Sequence, residues 1–335
     1  MRNNIFWSAK LKLCAFYTGS ILLIVILFSL GVYFLFNRNL GTDFEYQGGD
    51  SQQEAVLQQQ LISQTRHRLL VTLSIVDLST VALSVLLGWF LADRTLAPIQ
   101  EALKRQKKFV SDAAHELSTP LSIMKAGLET LEIGAKPAIK DYRQLNTDLL
   151  EETNRLAELT DDLLFLSRSD QSSLPVIRTK VNISSICTKQ VELLQDYAEQ
   201  KDVRLSHTVQ PNLHISGDEG QIKRLVLNLL KNAVDYNKKD GESKLSLFQS
   251  GNEIILEVTD AGIGINREDL KHVFKRFYKS DTARERSNSG TGLGLSIAKE
   301  IVTFHKGKVK IESKVGEGTK VVVVFDVSKN STGQK

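Results

Sequence analysis

Two long apolar runs constrain the fold of this chain more than any other feature of its sequence. Residues 13–36 contain no charged side chain, and residues 69–92 contain a single one, Asp77. Each run has 24 residues, and a helix of that length crosses a hydrocarbon core about 30 Å thick. A signal peptide has a shorter apolar core, about 7 to 15 residues, followed by a small-residue cleavage site, and the first run fits neither feature. We therefore expect two transmembrane helices.

The charges that flank these runs predict the orientation of the chain in a membrane. Basic residues precede the first run and follow the second, whereas the segment between them balances three arginines against four carboxylates. Because basic flanks stay in the cytoplasm, we expect residues 1–12 to be cytoplasmic, residues 37–68 to form an extracytoplasmic loop, and the remainder to be cytoplasmic. Such a loop is too short to bury a core of its own. Any external signal would then have to be received by a helical extension, by the spans or by a partner protein.

Composition excludes several other classes of protein. The formal net charge is only +4, and aromatic residues make up 7% of the chain without an interleaved basic stripe, which argues against direct nucleic-acid binding. The two cysteines, Cys14 and Cys187, stand in no metal-ligand spacing. The sequence therefore predicts neither a disulfide framework nor a structural zinc site.

A repeat of apolar residues predicts a helical hairpin after the second span. Apolar residues recur at spacings of three and four over residues 103–131 and again over 145–166, with Pro137 between the two stretches. Pro98 fits the first turn of a new helix. Two amphipathic helices joined by a short turn form an antiparallel hairpin. One hairpin cannot cover its own leucine seam, so we expect two copies to pair as a dimeric antiparallel four-helix bundle over residues 93–170.

The pattern changes after a short linker at residues 171–175. Helical patterns occupy residues 184–200, 219–237, 267–275 and 293–305, and strand-like patterns occupy residues 204–209, 244–249, 253–260, 308–313 and 319–327. Helices mixed with strand hairpins indicate a two-layer α/β sandwich over residues 176–328. Residues 329–335 would form a tail.

One histidine on the first helix of the hairpin has neighbours suited to phosphoryl chemistry. His115 lies about 200° around the helix from Leu117 and so points away from the leucine seam. A neutral imidazole offers one ring nitrogen as a nucleophile while the other carries a proton, which the carboxylate of Glu116 could hold. Thr119 lies one turn further on the same face. By itself, the pattern is more typical of a solvated helix surface with an incidental histidine.

The α/β domain contains residues typical of a nucleotide site. Asn228, Asn232 and Tyr236 share one helix face, and amide oxygens suit Mg²⁺. Asp260 ends a strand in phase with its apolar residues, so it faces inward, where a donor such as an adenine amine would satisfy it. The glycine-rich segment 290–294 opens a helix, where backbone N–H groups can meet phosphate. Each pattern is weak evidence alone.

Taken together, six motifs in their order along residues 98–328 resemble those of the membrane sensor histidine kinases of bacterial two-component systems. The six motifs are His115-Glu-Leu-Ser-Thr-Pro120, Asn228-Leu-Leu-Lys-Asn-Ala233, Asp260-Ala-Gly-Ile-Gly264, Phe274-Lys-Arg-Phe-Tyr278, Gly290-Thr-Gly-Leu-Gly294 and Gly316-Glu-Gly-Thr319. The resemblance implies two transmembrane helices, a dimeric four-helix bundle and an α/β sandwich ATP-binding domain of the kind shared with gyrases and heat-shock chaperones.

The resemblance also implies a role for each matching residue. His115 would accept a phosphoryl group from ATP, Glu116 would act as a base, and Thr119 would serve a phosphatase activity. Asn232 would hold Mg²⁺, Asp260 would read adenine, and residues 279–291 would form a lid. The implied nucleotide-binding residues are Asn228, Asn232, Tyr236, Asp260, Gly262, Gly264, Arg276, Lys279, Gly290, Gly292, Leu293, Gly294 and Thr319.

The implied partners follow from the same resemblance. The chain would act as a homodimer in the bacterial cytoplasmic membrane, with both termini in the cytoplasm. No receiver domain follows residue 328, so we expect the phosphoryl group to pass to an aspartate on a separate response regulator. The interval between Pro98 and His115 is too short for the juxtamembrane relay module called HAMP.

Two positions depart from the family pattern and leave other functions open. Ser118 stands where the family often has arginine, and Asp235 stands where it often has lysine, which places a carboxylate near the triphosphate. Lys238 or Lys239 could compensate. One alternative is a catalytically weak nucleotide-binding membrane receptor or scaffold. Another is an ATP-hydrolysing machine, although Asn228 stands where that class has its catalytic glutamate.

Overall fold

The computed structural model describes residues 3–45, 52–133, 138–169, 179–280 and 290–326, which divide at Lys108 into two compact units. The amino-terminal unit contains helix α1 (Asn3–Glu45) and the first part of helix α2 (Gln52–Ile133). Each helix includes a stretch long and apolar enough to cross a membrane, as expected. Helical structure also extends into the segment expected to be a loop, since α1 ends only at Glu45 and α2 begins at Gln52.

The prediction that a new helix begins at Pro98 is wrong, because α2 runs unbroken through this residue to Ile133. A proline inside a helix removes one backbone hydrogen bond and crowds the carbonyl four residues earlier. The leucine and alanine residues before Pro98 and the glutamate, lysine and arginine residues after it are strong helix formers. They propagate the helix across the proline, so a single helix joins the second apolar run to His115.

Small residues mediate the packing of α1 against α2. Ser84, Gly88 and Ala92, spaced four apart, are the buried residues among those described in the amino-terminal unit. A Cβ atom at Gly88 would lie 3.5 Å from Sγ of Cys14. Small residues at this spacing let the backbones of two membrane helices approach closely, while the large leucine, isoleucine and phenylalanine side chains remain exposed.

Three polar interactions add to this packing. Lys10 Nζ lies 2.7 Å from Oδ1 of Asp93 and 3.9 Å from the ring centroid of Trp89. Further along the pair, the Ser29 hydroxyl donates a 2.8 Å hydrogen bond to Oδ1 of Asp77. The carboxylate that the sequence places inside the second apolar run therefore has a partner on the other helix, as an ionisable group inside a membrane requires.

The carboxy-terminal unit contains the end of α2, helix α3 (Ile139–Ser169) and an α/β domain. The strands are β1 (Thr179–Asn182), β2 (Val203–Val209), β3 (His214–Gly217), β4 (Gly241–Ser250), β5 (Glu253–Asp260), β6 (Lys308–Lys314) and β7 (Gly318–Asp326). The remaining helices are α4 (Ile183–Leu193), α5 (Gln195–Gln200), α6 (Glu219–Asp235) and α7 (Gly294–Phe304). Residues 134–137, where the turn of the hairpin is expected, the whole of the expected linker at residues 171–175 and the expected tail at residues 329–335 lie outside the described residues.

Five strands form one mixed sheet in the order β2-β4-β5-β7-β6, in which only the β2–β4 pair is parallel. Helices α4, α6 and α7 cover this sheet, and the core between the layers is built from leucine, isoleucine and valine side chains. The Asp218 carboxylate caps α6 by accepting a hydrogen bond from the backbone N–H of Gln221. This two-layer arrangement confirms the predicted α/β sandwich.

The five strands predicted from sequence are confirmed in position, but β1 and β3 were missed. These two four-residue strands pair only with each other, and they are too short to produce a clear alternating pattern. The prediction of a helix at residues 267–275 is also wrong, because only one 3₁₀ turn forms there, at Asp269–Lys271. The Asn266 side chain accepts hydrogen bonds from the N–H groups of Glu268 and Asp269 and so caps the start of this short turn.

The last turns of α3 pack against the α/β domain. Leu159 and Leu166 are buried in the same apolar cluster as the domain core, and Leu117 and Leu163 pack at its edge. Part of the predicted leucine seam therefore contacts the α/β domain within one chain. Two of the remaining seam leucines, Leu121 and Leu128, are exposed, and the others are half-buried. The pairing of two hairpins stays a prediction.

Candidate nucleotide site and phosphoacceptor histidine

One cavity of about 190 Å³ collects most of the residues that the sequence assigns to nucleotide binding. Helix α6, the end of β5, the start of β7 and the two ends of the segment that precedes α7 surround it. The predicted residues that line the cavity are Asn228, Asn232, Tyr236, Asp260, Gly264, Lys279, Gly290, Gly292, Gly294 and Thr319. Residues 281–289, the centre of the predicted lid, lie outside the described part of the chain.

Three other predicted nucleotide-binding residues do not line the cavity. Leu293 is fully buried and belongs to the apolar core. Gly262 packs beneath the site, where a Cβ atom would lie 2.1 Å from the backbone oxygen of Tyr236. The Arg276 guanidinium lies 5.3 Å from the ring centroid of Phe109 and 3.9 Å from Glu300, so the expectation that it contacts phosphate finds no support in this geometry.

Asp260 stands at the inner end of the cavity with one carboxylate oxygen held by the backbone. Its Oδ1 atom accepts hydrogen bonds from the N–H groups of Gly262, at 2.9 Å, and Thr319, at 3.1 Å. Among the described residues, Oδ2 makes no hydrogen bond and so remains available to a ligand. Burial raises the pKa of Asp260 to about 6, although the two N–H groups oppose this shift. The site therefore suits a ligand that donates a hydrogen bond, such as an amino group on a base.

Two amide side chains on α6 face the same cavity. The Nδ2 atom of Asn228 is fully buried and makes no hydrogen bond in the structure, and such an orphaned donor is unusual unless a ligand satisfies it. The Asn232 amide lies against the start of α7, because a Cβ atom at Gly294 would be 3.3 Å from its Nδ2. Amide oxygens are suitable magnesium ligands beside the oxygens of a phosphate.

The glycines of the Asp260-Ala-Gly-Ile-Gly264 motif are required by the protein's own backbone rather than by close approach of a ligand. At Gly264 the φ angle is +68°, and a Cβ atom would lie 2.0 Å from the backbone oxygen of Lys314. A side chain at this position or at Gly262 would therefore collide with a neighbouring strand or loop. The glycines shape the floor of the cavity by allowing these segments to meet.

His115 is exposed on α2, outside the cavity. The Thr119 hydroxyl lies one turn away and donates a 3.3 Å hydrogen bond to the backbone oxygen of His115. The neighbouring Glu116 is half-buried, and its carboxylate lies 3.5 Å from Nζ of Lys279. Lys279 also lines the cavity, so one side chain contacts both the helix that carries His115 and the candidate nucleotide site.

Two protein-family models match these two parts of the chain. The His Kinase A (phospho-acceptor) domain matches residues 105–172, and the histidine kinase-, DNA gyrase B- and HSP90-like ATPase family matches residues 217–329. The first match contains His115 and the second contains every described residue that lines the cavity from α6 onward. The chain is a member of the sensor histidine kinase family.

Individual relatives agree with this assignment. The signal transduction histidine-protein kinase ArlS of Staphylococcus aureus is 34% identical over 236 residues, which are 69% of this chain and 51% of ArlS. The chain thus spans about half the length of the curated relatives it matches. The structure of the Acinetobacter baumannii histidine kinase AdeS matches with a TM-score of 0.50 at 25% identity, covering 64% of this chain and 98% of AdeS.

A third relative supports the fold alone. The structure of histidine kinase ThkA in complex with the response regulator protein TrrA matches with a TM-score of 0.54. The identity is 18%, and the match covers 71% of this chain and 66% of that one.

The structure brings charged residues to the kinase cavity that sequence reasoning did not assign to it. Glu158 and Asp162 of α3 and Lys231 of α6 line the cavity. Lys231 Nζ lies 3.1 Å from both carboxylate oxygens of Glu158, and the Arg224 guanidinium donates to Asp162. The spacing of four that separates Glu158 from Asp162 was the available signal, since it puts two carboxylates on one helix face.

Asp235, the departure from the family pattern, lines the cavity as expected. The lysines expected to compensate for its charge do not line the cavity, and Lys239 lies 3.4 Å from Asp202 instead. Burial raises the pKa of Asp235, whereas a hydrogen bond with Tyr197, and then the charges of Lys201 and Lys231, oppose that shift. A tyrosine that the sequence gave no reason to consider, Tyr197, donates a hydrogen bond to the Asp235 carboxylate.

Proposed function

We propose that this protein is a membrane-bound sensor histidine kinase that transfers the γ-phosphoryl group of ATP to His115. The observation that carries the proposal is the position of Lys279, which lines the nucleotide cavity and lies 3.5 Å from Glu116, next to His115. The same contact brings a positive charge from the nucleotide site to the helix that would receive the phosphoryl group.

The chemistry assigned to the chain is a direct phosphoryl transfer. One nitrogen of the neutral His115 ring attacks the γ-phosphorus, the bond from phosphorus to the bridging oxygen breaks, and ADP leaves. Glu116 holds the proton on the other ring nitrogen and balances the charge that develops on the ring. Asp260 accepts a hydrogen bond from the adenine amino group through Oδ2. Lys279 and Lys231 supply positive charge near the phosphates, and such positioning and charge neutralisation carry most of phosphoryl-transfer catalysis.

The residues present also fit a magnesium ion. Asn232 would hold the ion through its amide oxygen, and the orphaned Nδ2 donor of Asn228 suits an acceptor beside it, such as a phosphate oxygen. When bound, Mg²⁺ would neutralise charge on the phosphates. Among the described residues, no group of three or more histidine, cysteine or acidic side chains could hold a metal without such help from the nucleotide.

The proposal extends to the partners that a histidine kinase needs. The acceptor of the phosphoryl group is an aspartate on a separate response regulator, and the structure of the relative ThkA contains such a regulator. We assign the chain to the bacterial cytoplasmic membrane with both termini inside, two spans, and a homodimer formed through the hairpin of α2 and α3. The exposed seam leucines Leu121 and Leu128 support this pairing.

Thr119 supports a reverse reaction. Its hydroxyl lies on the same helix face as His115, where it can orient the water that dephosphorylates the regulator. Thr119→Ala would then keep kinase activity and lose dephosphorylation of the regulator. Equal rates of dephosphorylation in the variant and the parent protein would remove this role.

A phosphorylation assay tests the kinase proposal against its two alternatives. The full chain in membrane vesicles is incubated with ATP labelled at the γ-phosphate, and both protein-bound label and released phosphate are measured. A kinase gives acid-labile, base-stable label that His115→Gln abolishes, while ATP binding persists in the variant. Steady phosphate release without label would indicate an ATP-hydrolysing machine. Nucleotide binding with neither product would indicate the receptor or scaffold, the alternative that Asp235 favours.

A further inference from the structure

The charges that line the nucleotide cavity are unfavourable for its proposed ligand. Among the described lining residues, four are carboxylates, Glu158, Asp162, Asp235 and Asp260, and two are lysines, Lys231 and Lys279. The triphosphate of ATP is itself strongly anionic, and like charges at short range repel strongly where water is scarce. Each carboxylate must therefore be neutralised or turned away for the cavity to accept ATP.

Three of the four carboxylates have partners that explain how they are accommodated. Arg224 donates to Asp162, Lys231 lies 3.1 Å from both oxygens of Glu158, and two backbone N–H groups hold Asp260. Asp235 lies one turn after Asn232, the residue proposed to hold the metal, so we expect its charge to lie close to the phosphates. Among the hydrogen bonds of the described residues, its side chain makes one, with Tyr197.

Tyr197 is placed firmly enough to direct Asp235. It belongs to α5, and its side chain packs against the apolar core while its hydroxyl reaches across to the end of α6. Nζ of Lys201 lies 5.8 Å from its ring centroid, which adds positive charge on the side of Asp235 that faces α5. Burial, and then the neighbouring carboxylate, raise the pKa of Tyr197, so the phenol remains protonated and remains a donor at physiological pH.

We propose that Tyr197 is a positioning residue for nucleotide binding, which holds the Asp235 carboxylate against α5 so that the triphosphate can enter the cavity. This inference rests on the proposed function, because it takes ATP as the ligand. Asp235 departs from the family pattern, and Tyr197, 38 positions away in the sequence, compensates for that departure. Without the tyrosine hydroxyl, the carboxylate would be free to turn into the cavity, where it would repel the phosphates.

The test measures equilibrium binding of Mg·ATP and Mg·ADP to the full chain in nanodiscs, together with the Tm of each variant. We expect Tyr197→Phe to weaken ATP binding roughly tenfold, which corresponds to about 1.4 kcal/mol, and to weaken ADP binding less, because ADP carries less negative charge. Adding Asp235→Asn to Tyr197→Phe should restore ATP binding, since it removes the carboxylate that the tyrosine controls.

Two matched variants control for the substitutions themselves. Tyr142→Phe makes the same chemical change on the exposed surface of α3, and Asp196→Asn removes one negative charge from the exposed surface of α5. Neither should change ATP affinity. An unchanged ATP affinity in Tyr197→Phe would overturn the proposal. So would an equal loss for both nucleotides that Asp235→Asn does not rescue, because that result would assign Tyr197 to packing. Failure of the unmodified chain to bind ATP would refute the proposed function instead.

Discussion

The two units of this chain place their apolar side chains in opposite ways. In the amino-terminal unit, the described residues buried between α1 and α2 are small, Ser84, Gly88 and Ala92, while the large apolar side chains point outward. In the carboxy-terminal unit, leucine, isoleucine and valine fill the interior. The first arrangement suits a lipid surround and the second suits water, because only water drives large apolar side chains inward.

This difference indicates how stability and chemistry are divided in the molecule. Helices in lipid gain little from the hydrophobic effect when they associate, so close packing and a few polar contacts hold α1 and α2 together. Small changes in those contacts can therefore shift their pairing. The α/β domain has a dense core that fixes the cavity. Chemistry is thus expected to depend on the carboxy-terminal unit, whereas the amino-terminal unit adjusts its output.

The largest expected effect concerns the carboxy-terminal unit, whose core fixes the cavity. Asp260→Asn should weaken ATP binding roughly a hundredfold, because a charged acceptor is replaced by an amide that presents a donor to the adenine amine. Since burial raises the pKa of Asp260 to about 6, ATP affinity of the parent chain should fall as the pH is lowered through this value and the carboxylate gains a proton.

The raised pKa of Asp260 also predicts how the stability of the fold changes with pH. A carboxyl group whose pKa is higher in the folded state stabilises the fold at acidic pH, and that contribution is lost as the pH rises through about 6. Without nucleotide, Asp260→Asn should therefore have a Tm at pH 8 equal to or above that of the parent. Calorimetry and nucleotide titration from pH 5 to 8 check both points. An ATP affinity that varies with pH equally in the variant and the parent would exclude Asp260 as the titrating group.

An intermediate effect is expected along α2, the helix that begins in the amino-terminal unit and carries His115. Because α2 is unbroken from Gln52 to Ile133, a change in helix phase before His115 should reach it. Two residues inserted after Glu101 rotate the following helix by about 200°, whereas seven rotate it by only about 20°. We expect the first insertion to lock or abolish kinase activity and the second largely to preserve regulation. Unaltered regulation in both would mean that Pro98 acts as a loose hinge.

The smallest expected effect concerns the polar contact inside the apolar runs. Interhelical hydrogen bonds in membranes contribute about 0.6 kcal/mol on average, so Ser29→Ala and Asp77→Ala should each change basal kinase output about threefold or less. The double variant should match the single ones, because both remove the same hydrogen bond. Ser79→Ala is the control, since that hydroxyl bonds only to its own helix at Val76. Additive effects would show that the two residues act independently.

The features that sequence predicts well are those encoded by local patterns. The five strands of the large sheet have clear alternation, and Asp260 could be placed facing inward because it lies in phase with Ile254 and Val258. The continuity of α2 through Pro98 was not predictable, since it depends on whether flanking helix formers outweigh one lost hydrogen bond.

Contacts between distant segments were the least predictable part of the site. Arg276 belongs to a motif near the cavity, yet its guanidinium lies over the ring of Phe109. The next residue, Phe277, has a positive φ of +59°. The Tyr197–Asp235 hydrogen bond joins residues that no periodicity connects. Such pairs are fixed by the packing of α5 against the domain, which a single sequence does not reveal.

The most direct test of this account locates the phosphoryl group on the protein. The full chain in membrane vesicles is treated with Mg·ATP, digested at neutral to alkaline pH, and mapped by mass spectrometry alongside Asp260→Asn. The account predicts one phosphorylated site, His115, in the parent chain, and a strong reduction at that site in the variant. Phosphate on another residue, or ATP consumption that leaves His115 unmodified, would contradict it.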